Sequence, residues 1–479
     1  MTVDRLSALD ECFLRTASAA THPQVGWTLL VQGEAPGADE LRALLTDRLE
    51  LLPRFRRRVS SSWMHGSSWV DDRSFELGNH VAYATLPYPG GPAELRELCG
   101  RLLSVPLHHD RPLWRIHVVD GLHSERFAIV AQLHQALVGG LGVVELAQLL
   151  LDRGPRTTFV TPAGRRPWSP APEPGPIGRL LATGADRARL GRSAGSLALR
   201  ALATPVRWQD ALAGMRGLGS ALGAIGSPAP CTTLNRPIGP ERSVAFAGLP
   251  RHSAHELARL VDGAVNDVVL ATTALALGRY LRREGECHPW LRVCVPDYGR
   301  HARDGAELGT RPSMMFVELP VGERDPRAVL AEVCRQTRGR KRDEHAAAVD
   351  GTLRAAALAP APVRDGIAWL LTRPQTFNAV VADISGPAEP LYLLGRRAQA
   401  AYPLLPLLRS HCLSIGVLSY GGELEIGLCG YPPAVPNLVA IARDFSSSFE
   451  ALRSALGVPS PRRPARPRKL RAAERPVLV

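Results

Sequence analysis

The sequence predicts a mixed α/β protein built from two halves of similar size. At 479 residues, the chain exceeds the roughly 250–300 residues at which a single hydrophobic core usually stops growing. Short apolar runs alternate with stretches of helical spacing in both halves, and a segment rich in proline, glycine and arginine separates them. Because 45% of the residues are apolar, each half can bury a core of its own.

The first half, residues 1–152, alternates strands and helices. Leucines recur at helical spacing in residues 36–52, and a second run of this kind covers residues 92–105. Both runs stop at a proline, so we predict two amphipathic helices. Residues 113–134 hold two apolar runs about a glycine turn and predict an antiparallel hairpin, and a further helix is predicted to follow it.

A linker and a basic crossover, residues 153–230, connect this half to the second, residues 231–457. Residues 176–222 are rich in alanine, leucine, arginine and glycine and predict one or two amphipathic helices. The second half begins with a strand, and a helix is predicted to follow, with Asn266 as its N-cap and Asp267 in its first turn. Five or six strands come next and a closing helix ends this half. Residues 458–479 are predicted to be a basic, disordered tail.

The net charge of +13 is concentrated in two segments. Residues 175–223 contain seven arginines and two aspartates, and the tail from residue 461 contains six arginines, one lysine and one glutamate. Neither segment alternates basic residues with aromatic residues, so nucleic acid is not an expected partner. The stretch from Arg179 to Arg216 fits either a helix lying on an anionic membrane surface or a solvated crossover between the halves.

Several classes of protein are excluded by what the sequence lacks. Its eight cysteines form no CxxC pair and no Cys/His cluster, so neither a metal site nor a disulfide framework is expected. No nucleotide-binding glycine motif and no GxSxG nucleophile elbow occurs. There is no run of 18 apolar residues and no signal peptide pattern. We therefore expect a protein of the cytoplasm, either free or bound peripherally at the inner face of the cell membrane.

A resemblance to a known family extends over nearly the whole chain. The segments that carry it, in chain order, are LSALDECFLR, LPRFRRRV, RPLWRIHVVDGL, LNRPIGPERSVAFAGLP, VNDVVLA, GPAEPLYLLG and LSIGVLSYGGELEIGL. In these the sequence resembles the bacterial wax ester synthase/acyl-CoA:diacylglycerol acyltransferase family. The resemblance implies a two-lobed fold like that of chloramphenicol acetyltransferase, with a tunnel between the lobes and the active site at its middle. It also places Asn266, Asp267 and Ser385 along that tunnel.

The family's active-site motif is HHxxxDG, and the matching stretch here is HQALVGG. In the family the second histidine is the general base that takes the proton of the acceptor hydroxyl. The flanking residues place His134 on the first histidine, Gln135 on the base, Gly139 on the aspartate and Gly140 on the glycine. A glutamine amide has no useful basicity near neutral pH, so Gln135 cannot act as that base. The motif is therefore degenerate, with its strand and turn retained and its base lost.

Two residues are candidates for a substitute base. A shift of the motif by one residue would make His134 the base, but neighbouring residues of a strand point to opposite faces, which turns His134 away from the tunnel. Asp383 could serve if it faced the tunnel, where burial would raise its pKa, although a turn aspartate that binds backbone is the more ordinary interpretation. His108, His109 and Asp110 stand together in PLHHDRPLW and are interpreted as a solvated turn.

The function that the resemblance implies is O-acyl transfer from acyl-CoA to diacylglycerol or another hydrophobic alcohol, giving triacylglycerol or wax-like esters. Acyl-CoA is then a co-substrate, no further cofactor is expected, and the acceptor would be met at a membrane or lipid-body surface. One alternative is an inactive member of the family that binds lipid, acyl-CoA or a partner protein. Another is acyl transfer from a carrier-protein thioester, as condensation domains of this fold perform.

Overall fold

Two six-stranded sheets form the framework of the protein. The computed structural model describes residues 4–6, 8–18, 20–62, 66–138, 147, 149–159, 168–172, 228–297, 313–342 and 373–459. The strands within these residues are β1 (Asp4–Arg5), β2 (Gln24–Gln32), β3 (Arg57–Ser62), β4 (Gly66–Asp71), β5 (Val81–Thr85), β6 (Trp114–Leu122), β7 (Arg126–His134), β8 (Ser243–Pro250), β9 (Leu291–Asp297), β10 (Ser313–Leu319), β11 (Ala379–Ser385), β12 (Tyr392–Leu393), β13 (Arg396–Leu404), β14 (Leu413–Tyr420) and β15 (Glu423–Gly430).

Helices cover these sheets. Those in the described residues are α1 (Ala8–Thr16), α2 (Ala38–Arg48), α3 (Pro92–Leu103), α4 (Gln135–Val138), α5 (Arg251–Leu260), α6 (Val265–Arg283), α7 (Pro326–Arg342) and α8 (Leu438–Leu456). The two amphipathic helices predicted in the first half are α2 and α3, and the predicted hairpin is β6 and β7. The leucines of α2 are fully buried, which explains why their spacing was so regular in the sequence.

The first sheet has the strand order β12-β13-β2-β7-β6-β5, and the second has the order β10-β9-β11-β14-β15-β8. In the first sheet only β5 and β6 run parallel, whereas in the second β11 runs parallel to both β9 and β14. A small third sheet has the order β1-β4-β3. The mixed α/β class and the two-lobed architecture predicted from the sequence are thus confirmed.

Two strands of the second half, β12 and β13, join the first sheet. β13 pairs with β2, so that Leu404 lies opposite Gly26. The range assigned to the second lobe, residues 231–457, therefore contributes two strands, β12 and β13, to the sheet of the first lobe. Because β13 belongs to one sheet and packs on the other, it fixes the two sheets against each other.

Glycines make room for this crossing strand. A Cβ atom at Gly427 of β15 would lie 2.0 Å from the carbonyl oxygen of Pro403, and one at Gly416 of β14 would lie 2.9 Å from the same oxygen. Such distances are far shorter than ordinary van der Waals contact, so both strands need glycine where β13 passes. The close approach of backbones is what lets the lobes share a strand.

A short piece of the predicted linker packs onto the first lobe. The guanidinium of Arg56 lies 5.0 Å above the ring of Trp168, and Phe75 meets the same ring edge-on. The backbone N–H of Ala171 donates to Asp71. The predicted amphipathic crossover, most of the helix predicted after β7 and nearly all of the predicted tail lie outside the described residues.

Of the helices described, none has on its own the length and apolarity needed to cross a bilayer. α5 and α6 meet that requirement only when taken together, and their axes are bent by 99° at the break between them. α6 is mostly buried between the second sheet and its neighbouring helices, as expected for the core helix of a globular lobe.

Candidate active site

The predicted motif lies at the end of a central strand of the first sheet. His134 is the last residue of β7, where it pairs with Gln24 of β2, and Gln135 opens the single turn of α4. The backbone N–H of His134 donates to the carbonyl of Leu113, and that of Gln135 donates to Pro23, both at 2.9 Å. The chain is therefore held in place on both sides of the motif.

His134 is unsuited to act as a base. Its side chain is 1% exposed, and its Nδ1 accepts the backbone N–H of Ala136 at 3.1 Å, which places the ring proton on Nε2. That Nε2 is buried without a hydrogen-bond partner in the described chain. Burial, together with the nearby His109 and His22, lowers the pKa of His134 to about 3. The ring thus stays neutral near pH 7 and can only donate through Nε2.

Gln135 occupies the position of the family's base and supplies no proton acceptor. The residue is 7% exposed, and its side-chain amide has no hydrogen-bond partner among the residues that the structure describes. A buried glutamine amide can orient a bound group or donate a hydrogen bond to it. Gly139 and Gly140, the remaining motif positions, lie outside the described residues.

A set of side-chain bonds holds the end of α3 and the following loop beside His134. His22 Nε2 bonds the carbonyl of Leu103 at 2.9 Å, Gln24 Nε2 donates to that of Val105 at 3.2 Å, and Gln132 Nε2 donates to that of Leu102 at 2.6 Å. Gln24 belongs to β2 and Gln132 to β7, and His22 lies two residues before β2. They lock the loop that begins at Ser104 onto this end of the sheet.

That loop brings His109 against the motif. The rings of His109 and His134 meet edge-to-face, with their centroids 5.6 Å apart. His108, His109 and Asp110 are all exposed, as the solvated-turn interpretation predicted. The contact with His134 could not be predicted, because it depends on how α3 docks and not on any spacing within the loop.

Asp383 lies on β11 of the second sheet, and strand alternation argues against its candidacy as a substitute base. Val381 lies two residues before Asp383 on β11, and Val417 of β14 pairs with Asp383. Both valines belong to the core under the helices of the second lobe. Ile384 and its partner Leu418 pack into the core of the first lobe. Strand alternation therefore points Asp383 toward the helix-covered face, where burial raises its pKa to about 6 and Arg251 opposes that rise.

The predicted tunnel residues occupy two places in the second lobe. α6 starts at Val265 and its cap position is Ala264, whose backbone N–H donates to Asp267 at 2.7 Å. Asp267 thus performs the capping that was predicted for Asn266. One side-chain oxygen each of Asn266 and Asp267 is buried without a partner in the described chain, whereas Ser385 is exposed at the end of β11.

A buried carboxyl group lies where the crossing strand meets the second sheet. Glu425 of β15 is 5% exposed and receives a hydrogen bond from the hydroxyl of Tyr402 on β13. Burial raises the pKa of Glu425 to about 8, and the neighbouring Glu423 adds to this effect. The side chain of Glu425 lies on the face of β15 that β13 covers.

The Glu425→Gln variant is expected to remove a pH-dependent loss of stability. Since the pKa of Glu425 is raised on folding, the native protein must keep a proton that the unfolded chain releases. Stability therefore falls as the pH rises from about 4.5 to about 8. In the variant, the melting temperature should fall between pH 5 and pH 8 by roughly 5 °C less than in the parent.

Melting curves recorded by circular dichroism across this range test the prediction. Glu423→Gln is the matched control, because Glu423 lies two residues away on the same strand and is exposed. Its effect should have the same sign and be smaller. Parallel melting profiles of Glu425→Gln and the parent would show that the Glu425 carboxyl ionises freely.

Comparison with known proteins finds two family models and several relatives that match this chain. Residues 6–269 match the family model of the wax ester synthase/diacylglycerol acyltransferase catalytic domain, and residues 308–453 match that of the WS/DGAT C-terminal domain. A Mycobacterium tuberculosis protein assigned as a diacylglycerol O-acyltransferase is 31% identical over 476 residues, which cover 95% of this chain and 100% of the relative. Another from the same organism is 27% identical over 475 residues, or 94% of this chain and 90% of the relative.

Solved structures share the fold. The wax ester synthase/diacylglycerol acyltransferase from Marinobacter aquaeolei superimposes with a TM-score of 0.66 at 21% identity, covering 95% of this chain and 100% of that one. The first condensation domain of the calcium-dependent antibiotic synthetase superimposes with a TM-score of 0.59 at 16% identity, covering 95% of this chain and 96% of that one. Both therefore share the arrangement of two lobes seen here.

Proposed function

The chain belongs to the wax ester synthase/diacylglycerol acyltransferase family, and we propose that it transfers the acyl group of an acyl-CoA to the hydroxyl of diacylglycerol or another hydrophobic alcohol. The observation that carries this proposal is the placement of the HQALVGG stretch. It begins at the end of a central strand and is held by backbone bonds on both sides, in a protein whose two lobes share a strand. The relatives' names, which describe diacylglycerol O-acyltransferases, support diacylglycerol as the acyl acceptor.

The chemistry proposed for this site is addition of the alcohol oxygen to the thioester carbonyl, followed by loss of the CoA thiolate. The amide of Gln135 and the Nε2 proton of His134 are hydrogen-bond donors, and donors of this kind stabilise the negative charge that develops on the carbonyl oxygen. Neither group can remove the proton of the alcohol. We propose that the reaction needs no cofactor other than acyl-CoA, and that the lipid acceptor is taken from a membrane or lipid-body surface.

A second candidate function is binding of acyl-CoA or lipid without turnover. The amide at the base position and the low pKa of His134 favour it, because neither group would accept a proton near pH 7. Losing a general base costs typically about 10²–10⁴-fold in rate, which leaves room for slow catalysis as well. The two candidates differ in whether product forms, and a direct assay separates them.

The test is an assay of the purified full-length chain with radiolabelled palmitoyl-CoA and either 1,2-dioleoylglycerol or hexadecanol in mixed micelles. Triacylglycerol or wax ester should accumulate above the level seen with heat-inactivated protein. Binding of palmitoyl-CoA in equilibrium dialysis without product would support the non-catalytic alternative. Product formed only when palmitoyl-acyl carrier protein replaces palmitoyl-CoA would overturn the choice of donor.

A further inference from the structure

We infer that His109 is the general base of this reaction and that its ring contact with His134 holds it in place; this inference rests on the proposed acyl-transfer function. The alcohol must lose its hydroxyl proton, and a base has to accept that proton. Gln135 has no basic nitrogen, His134 has its Nδ1 engaged by the N–H of Ala136, and Asp383 points to the helix-covered face of the second sheet. The residues assigned to the motif therefore leave the proton without an acceptor.

His109 is a titratable side chain that the fold brings against the motif. Its ring meets that of His134 edge-to-face at a centroid distance of 5.6 Å. The loop that carries it is fastened by the bonds from His22, Gln24 and Gln132 to the carbonyls at the end of α3. An edge-to-face contact with a fully buried ring restricts the rotation of His109, so a base at this position is held in one orientation.

Exposure and charge suit His109 to this role. Unlike His134, it is exposed, so a substrate hydroxyl can reach a ring nitrogen. Partial burial lowers the pKa of His109 below its usual value of 6.5, and the adjacent Asp110 carboxylate opposes this shift. His134 and His22, two further ionisable groups on this side among the described residues, are buried. The lowered pKa favours the unprotonated form of His109, which is the state that a base requires.

The proton balance of the step is complete with these groups. A nitrogen of His109 takes the hydroxyl proton while the alcohol oxygen forms a bond to the thioester carbon. The tetrahedral intermediate then collapses and the bond between carbon and sulfur breaks. The protonated His109 returns its proton to the leaving thiolate, which gives free CoA and the ester. No oxidant, reductant or metal takes part.

The test compares His109→Gln with His108→Gln in the same palmitoyl-CoA assay. His108 is an exposed histidine of the same loop and serves as the matched control. His109→Gln should lower kcat about 10²-fold or more with little change in KM, and His108→Gln should retain the parent's rate. Because a base must be unprotonated, the parent's kcat/KM should rise with pH to a plateau by about pH 7. In His109→Gln this rise should disappear.

The outcomes separate this inference from the proposed function. If the parent forms ester and His109→Gln forms it at the same rate, the role of His109 is refuted and the acyltransferase function stands. If the two histidine variants lose activity equally, the loop acts structurally and the role of His109 is again refuted. If the parent forms no ester from any donor while palmitoyl-CoA still binds, both proposals fail. Since the side chain is exposed, both variants should melt within about 2 °C of the parent.

Discussion

In the His109→Gln background, the Gln135→His substitution should raise the rate of hexadecanol or diacylglycerol esterification about 10²-fold at pH 7. The substitution returns an imidazole to the position where the family carries its general base. The backbone there is already fixed, because the N–H groups of His134 and Gln135 are bonded to Leu113 and Pro23. A base restored on a rigid element is expected to recover much of the 10²–10⁴-fold that general base catalysis contributes.

The measurement is kcat/KM with palmitoyl-CoA, and Gln135→Asn is the control because it keeps an amide in place of the imidazole. Combining Gln135→His with Gly139→Asp restores both polar positions of the HHxxxDG motif and should add to the rate. In the parent, where His109 already serves as the base, Gln135→His should raise the rate much less than it does in His109→Gln. Equal rates for Gln135→His and Gln135→Asn would show that the acyl group does not bind at this motif.

Local patterns in the sequence predicted the elements that bury one regular face. The spacing of leucines gave α2 and α3, and the turn at Gly121 gave the hairpin of β6 and β7. These patterns are informative because each element packs against a single neighbouring layer, so its periodicity follows its burial. The loss of the base from the motif could also be predicted, because the amide of Gln135, unlike a histidine imidazole, has no useful basicity.

Contacts between distant segments could not be predicted in this way. Strand alternation would have shown that Asp383 shares a face with Val381, but which face looks toward the first lobe depends on the packing of the two sheets. Glu425 alternates with apolar residues as a solvated side chain does, and it is buried only because β13 passes over it. His109 reaches His134 only because three side chains fasten the loop after α3.

The crossing strand is what holds the two lobes together, and Gly427→Ala is expected to disrupt it. The new Cβ atom would lie 2.0 Å from the carbonyl oxygen of Pro403 and 2.9 Å from its carbonyl carbon. Both are backbone atoms of β13, which is paired with β2 along its length and cannot move aside without breaking that pairing. Overpacking of this kind should cost about 3 kcal/mol or more, which corresponds to a melting temperature lower by roughly 6 °C or more.

Gly248→Ala is the matched control, because Gly248 lies on the neighbouring strand β8 and its Cβ would meet only side-chain oxygens of Glu425 and Glu423, at 3.7 and 3.9 Å. Distances of this length are ordinary contacts, so the melting temperature of Gly248→Ala should stay within about 1 °C of that of the parent. Gly427→Ala should also lose esterification to a greater extent than Gly248→Ala, since the loosened strand pairs with β2, the neighbour of the strand that ends at His134. Equal stability of the two variants would mean that β13 does not pass over β15 in solution, and the lobes would then be joined in another way.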